Sequence, residues 1–208
     1  VYLNAKRVNW ELIVKDLRYL KDTDTETPEK LDKDKYFKKS NLILENVSKT
    51  DLKLLIHLDD ELFGMDRIGT EKLIHFVNSA TYFLKVSRLT DGNLLGAAIF
   101  NSIDIINVTN RPSLFFWAKK AGILGKSGVL ISLDWMLVRP QFQRKGIGKF
   151  LLHEAIKKIA QKGYKYLVLH AHSRAAQSFY SSLGFSSIKK ISAYYKSGAD
   201  SELMVLKL

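Results

Sequence analysis

The sequence predicts an α/β domain, and three observations carry that expectation. Strand-like runs alternate along the chain with segments whose apolar residues recur at helical spacing. Two of the strand-like runs flank Asp91-Gly92, a strong hairpin signal because both residue types tolerate the positive φ of a tight turn. Ile147 to Gln161 is amphipathic throughout, with Ile147, Leu151, Leu152, Ala155, Ile156 and Ile159 on one side and Lys149, Glu154, Lys157 and Lys158 on the other.

The elements follow in order. Val8 to Leu20 carries Trp10, Leu12, Ile13, Leu17 and Leu20 at helix-like spacing, and Lys21 to Ser40 is almost wholly charged and polar. Residues 1–40 therefore read as a helix and charged linker ahead of a domain at 41–208. Within it, Leu42–Val47 reads as a strand, Thr50–Leu62 and Thr70–Asn78 as helices, and Thr81–Leu89 with Asn93–Asn101 as the hairpin. Ile105–Gly128 holds the apolar run Leu114–Trp117 and a basic, glycine-bearing stretch from Lys119, and reads as an insertion. Val129–Val138 is strand-like and leads through Pro140 into a glycine turn and the amphipathic helix, for which Gly163 supplies a stop. Leu167–His172 is a buried-type strand, Arg174–Leu183 a helix, and Ser186–Ala193 with Ser201–Leu208 a final strand pair.

Composition excludes several classes. The chain is 46% hydrophobic, enough for an ordinary core, and no apolar run approaches the roughly eighteen residues that span a bilayer. The first ten residues lack the pattern of a secretory signal, so an intracellular setting, cytoplasmic or nuclear, is expected. With no cysteine, disulfides, thiolate zinc sites and a cysteine nucleophile are out. The net charge of +12 is uneven: residues 1–104 hold 16 basic and 17 acidic side chains, and residues 105–208 hold 17 and 4. Such a field attracts a polyanion, and nucleic acid, a ribosome surface and the phosphates of coenzyme A all qualify.

Gln143-Arg144-Lys145-Gly146-Ile147-Gly148 lies between a strand and a helix. A turn there presents free backbone N–H groups and a positive dipole end, a ready site for pyrophosphate, and glycines let the backbone come close. Arg144, Lys145 and Lys149 add charge. A dinucleotide fingerprint needs a third glycine where Leu151 stands, and a Walker loop needs glycine where Lys120 stands. By itself the turn also fits a plain strand-to-helix connection.

Two motifs extend the reading. Val138-Arg-Pro-Gln-Phe-Gln-Arg-Lys-Gly-Ile-Gly148 resembles the acetyl-CoA loop of the GCN5-related N-acetyltransferase (GNAT) superfamily, and Ser173-Arg-Ala-Ala176-Gln-Ser-Phe179-Tyr180-Ser-Ser-Leu-Gly184-Phe185 resembles its second signature, in the family's order and spacing. Ser173 stands where the family usually has Asn, and the stretch at 105–128 is longer than usual. The resemblance implies a central mixed, mostly antiparallel twisted sheet flanked by helices and acetyl-CoA as co-substrate. It also implies that Met136, Leu137 and Val138 hold the pantetheine as an added strand would. Gln143 to Lys149 would cradle the pyrophosphate, and Ser173, Ala176 and Phe179 would line the coenzyme channel.

Amine acetylation needs a neutral nucleophile and a proton for the departing thiolate. Tyr180 matches the family's tyrosine near the sulfur and, as a phenol, can donate that proton, or it simply packs on its helix. Asp134 is one of the four acids after residue 104 and lies mid-strand. A carboxylate there is costly unless partnered or wet, so it is a candidate base, with a structural salt bridge as the competing reading. His170 and His172 share a face of the next strand by two-residue periodicity, and His172 is the candidate proton relay, against an ordinary strand-end histidine. Two histidines without a third ligand do not make a metal site, and none is expected.

The ending Ala193-Tyr194-Tyr195-Lys196 through Asp200, Met204 and Leu208 resembles that of protein N-terminal acetyltransferases, including the ribosomal-protein alanine type. Asn46-Val47, Asp51-Leu52 and Glu61-Leu62-Phe63 resemble that subgroup's first strand and helices. The resemblance puts Phe63, Tyr194 and Tyr195 against the substrate, while hairpin packing is the plainer role for the tyrosines. The expected acceptor is a protein N-terminal α-amine or a lysine. A small amine such as an aminosugar or polyamine is the second reading, disfavoured for polyamines by the +13 of the C-terminal half. A non-catalytic basic module on the same fold is the third, and absence of acetyl-CoA binding would single it out.

Overall fold

The computed structural model describes residues 41–104 and 112–208. The N-terminal helix and linker expected at 1–40, and the first part of the expected insertion, lie outside the described residues. The elements run β1 (Leu42–Asn46), α1 (Leu52–Phe63), α2 (Thr70–Ser79), β2 (Tyr82–Arg88), β3 (Leu94–Ile103), α3 (Pro112–Lys120), β4 (Leu130–Val138), α4 (Ile147–Gln161), β5 (Tyr166–Ala171), α5 (Arg174–Ser182), β6 (Ser186–Ile191) and β7 (Ser201–Lys207). The seven strands form one sheet in the order β1-β2-β3-β4-β5-β7-β6, and every pair is antiparallel except β4 with β5. The mixed, mostly antiparallel sheet expected from the sequence is present.

Helices cover both faces. On one, α4 sends Ile147, Phe150, Leu151, Ala155 and Ile159 into a core with Ala98, Phe100, Ile131, Leu133, Leu167 and Met204, and α5 adds Phe179 and Tyr180 at its margin. On the other, α1 and α2 bury Leu55, Leu58 and Leu73 against Ile99, Trp135 and Leu137, while α3 packs Leu114 and Ala118 on Ile103, Leu130 and Val168. Burying two sheet faces under apolar helix stripes is what stabilises such a layered domain.

Strand β4 does not keep a simple alternation. Ile131 and Leu133 face the α4 core, yet Trp135 and Leu137 face α1, and Met136 and Val138 return to the α4 side. The cause is a bulge: Ile99 pairs with Trp135 and Phe100 with Leu133, leaving Asp134 as the extra residue. A bulge bends its strand and re-aims a side chain. Beyond it β4 and β5 part: β5 pairs with β4 only from Leu130 to Leu133, whereas β3 stays paired as far as Val138. The edge of β4 from Asp134 to Val138 is thus left open toward β5.

Candidate active site

The split between β4 and β5 has a different surface on each side. At its α4 side lies the glycine turn. Gly146 caps α4 with φ +84°, a left-handed conformation, and has no neighbour within 4 Å of where a Cβ would be. Its need for glycine is therefore conformational. Gly148 is spatial: an added Cβ would lie 3.1 Å from Met136 Cε and 3.3 Å from Phe179 Cζ. Arg144 also has positive φ, at 60°. Among the described residues no backbone carbonyl engages the N–H groups of residues 144 to 148, which lie at the start of a 15-residue helix whose dipole favours an anion. Gln143 Nε2 donates to Val138 O at 3.0 Å and ties the turn to the open strand edge. Leu137 is buried against α1, so only its backbone faces the opening. Ser173 accepts from Ala176 N at 3.2 Å and caps α5, a role that shorter side chain performs on its own helix.

Tyr180 belongs to this side, edge-on to Phe179 at 5.2 Å and to Phe185 at 5.6 Å. Burial raises its pKa well above the ordinary phenol range, because the phenolate loses its hydration. Burial thus favours the protonated phenol.

The opposite side holds a cavity of about 490 Å³ lined by Asp134, His170, Tyr194, Tyr195, Ser113, Ser132 and an apolar remainder that includes Ile103, Leu114, Val168 and Leu203. Asp134 accepts from Asn101 Nδ2 at 2.7 Å, a neutral partner that orients the carboxylate without cancelling its charge. His170 Nδ1 shares a hydrogen bond with Ser201 Oγ at 2.7 Å, and its ring stacks on Tyr194 at 4.0 Å and 11°. Tyr195 donates to His170 O at 2.9 Å. Its pKa is raised by burial first, then by the phenols Tyr194 and Tyr180 and by Asp66.

His172 stands apart from the cavity lining. Its Nε2 lies 3.1 Å from Asp66 Oδ2, and Asp66 also accepts from Ser197 N at 2.8 Å and Ser197 Oγ at 2.6 Å. These bonds hold the Asp66 carboxyl below its usual range, Ser197 first and His172 after it. The sequence pairs the two histidines on one face and the structure agrees, since both meet the tyrosine pair, but it is His170 that reaches the cavity. Phe63 ends α1 with its ring 6.3 Å from Trp135 and outside the cavity lining.

Two supporting residues escaped sequence reasoning. Asp59, only 1% exposed, accepts from Trp135 Nε1 at 2.9 Å, Gly69 N at 2.8 Å and Ile68 N at 3.2 Å, so it anchors the strand of the site and the start of α2 together. Its signal was a carboxylate four residues after Leu55, on the apolar stripe of α1. Asn101 carried no signal until its strand partner was known.

The comparisons agree with this geometry. Residues 111–187 match the model of the acetyltransferase (GNAT) domain. No curated protein matches the chain. Among solved structures it is similar to Arabidopsis thaliana NAA60 in complex with acetyl-CoA, at 19% identity and TM-score 0.66 over 80% of this chain and 99% of that one. It is similar also to the ribosomal-protein-S18-alanine N-acetyltransferase of Escherichia coli, at 20% identity and TM-score 0.59 over 80% and 93%. The third is the NatC complex bound to Gag peptide and CoA, at 15% and 0.64 over 81% and 99%. Residues 111–187 thus match the acetyltransferase (GNAT) domain, and most of the chain shares the fold of these solved structures.

Proposed function

We propose that the chain moves the acetyl group of acetyl-CoA directly onto the N-terminal α-amine of a protein or peptide. The observation that carries the choice of acceptor is the cavity lining, where, among the described residues, Asp134 is the one carboxylate beside mainly apolar residues and tyrosines. A polyamine needs several carboxylates and an aminosugar needs many polar partners. One amine joined to an apolar side chain and a peptide needs one of each.

The remaining roles follow from position. The pyrophosphate lies at the free N–H groups of residues 144 to 148, with Arg144, Lys145 and Lys149 around it. The open edge from Met136 to Val138 takes the pantetheine, and Met136 and Phe179 leave little room for a Cβ at Gly148. Asp134, held by Asn101, receives the proton of the incoming ammonium directly or through water, and His170 stands beside it as the second acceptor. The amine nitrogen then bonds to the thioester carbon, the carbon–sulfur bond breaks, Tyr180 supplies the proton taken up by sulfur, and the proton that the nitrogen sheds in becoming an amide returns through water to Tyr180. Tyr194 and Tyr195 close over the peptide. An α-amine, with pKa about 8, needs about 3 kcal/mol less for deprotonation than a lysine near 10.4, which suits a site with one modest base. Similar folds in NAA60, bound to acetyl-CoA, and in the NatC complex, bound to a peptide, support this reading.

The test is a peptide panel with acetyl-CoA, read by mass and fragment ions. Peptides with free α-amines gain one acetyl group at residue one. Acetylation confined to lysine side chains or to small amines would refute the proposal.

A further inference from the structure

Strands β3 and β4 meet end to end, Ile103 opposite Leu130, yet Asp104 to Val129 intervene between them. A hairpin at that register closes with about two to five residues. Length in excess of what connection demands, folded into a helix, is the mark of a segment kept for a task. Helix α3 is firmly seated: Ala118 is fully buried, Ile123 nearly so, and Trp117 lies edge-on to Tyr166 at 5.3 Å. With its far half fixed on the sheet, its first turn forms part of the acceptor cavity, through Ser113 and Leu114. Leu114 touches a cluster shared with Ile103 and Val168, which line the same cavity.

We infer that α3 selects the acceptor, its first turn completing an apolar seat for the side chain of the peptide's first residue. This rests on the proposed transfer to an α-amine. The cavity, at about 490 Å³, is far larger than an amine and a methyl group require, and a first residue of Gly, Ala or Ser leaves its apolar wall unfilled. Leucine, methionine or phenylalanine fills it. Each buried methylene contributes about tenfold or more to kcat/KM in such a pocket.

Peptides identical except for a first residue of Gly, Ala, Ser, Leu, Met or Phe provide the assay. The large apolar residues are expected to exceed Gly and Ala by about tenfold or more in kcat/KM. Ser113→Phe, at a half-exposed position, should fill the seat. It is expected to abolish that preference while the KM for acetyl-CoA stays unchanged. Leu114→Ala should extend the preference toward Phe, and a thermal melt of each variant shows that it is folded. Equal use of all six peptides, or a ranking indifferent to Ser113→Phe in a folded protein, overturns the role of α3 and leaves α-amine transfer standing. If no α-amine is acetylated while other amines are, both readings fall together.

Discussion

Asp134 reaches the cavity because β4 carries one residue more than β3 at that point. Its partner there is the neutral amide of Asn101. Asp134→Asn should lower kcat by about 10²–10⁴ with little change in the KM for acetyl-CoA, since the lost contact serves proton transfer alone. An unchanged kcat would transfer the role to His170. Tyr180 lends itself to a pH test. Its phenolate is penalised by burial, so the folded pKa is raised and the acid form persists as pH rises. The kcat profile should show no alkaline fall below pH ~10 attributable to Tyr180, and Tyr180→Phe should lower kcat at every pH with cofactor binding intact. An alkaline limb near neutrality that vanishes in Tyr180→Phe would contradict it. Asp134 was legible as a rare acid in a basic half, but its bulge was not. Two-residue periodicity shows a flip in facing only once both sides of the strand have partners, and the same missing information left His170 behind His172.

At the scale of elements, α4 and its preceding turn were readable almost residue by residue, because a helix with one apolar face and glycine before it has few alternatives. Gly146→Val forces a β-branched side chain into φ +84° and disturbs the free N–H groups. It should raise the KM for acetyl-CoA by about tenfold or more, and cost about 1–2 kcal/mol of stability. Unchanged kinetics would show that the turn does not hold the coenzyme. Helices α1 and α2 were placed within a residue or two, but their coupling was not, because Asp59 satisfies donors ten and seventy-six residues away. Asp59→Ala strands three donors, one buried and two part-buried, each worth about 1–3 kcal/mol when fully buried. Urea unfolding should show a loss of about 3 kcal/mol or more, and a change below about 0.5 kcal/mol would contradict its anchoring role.

For the molecule as a whole, the proposed function divides two tasks across the sheet. The coenzyme side gathers backbone N–H groups and basic side chains, and the acceptor side gathers a carboxylate, a histidine, tyrosines and apolar wall. The charge surplus of the C-terminal half was legible from composition, and the split gives it an object in the coenzyme's phosphates. Raising ionic strength from about 0.05 to about 0.5 M should therefore increase the KM for acetyl-CoA several-fold while kcat changes little. A KM indifferent to salt would assign the charge to another partner. The division of the split was not legible, since it depends on where β4 and β5 stop pairing. A crystal structure with acetyl-CoA bound tests that division most directly. The account predicts the diphosphate on the N–H groups of residues 144 to 148, the thioester sulfur within hydrogen-bond reach of the Tyr180 hydroxyl, and the acetyl group facing the cavity of Asp134. A coenzyme bound elsewhere, or a sulfur beyond the reach of Tyr180, would contradict it.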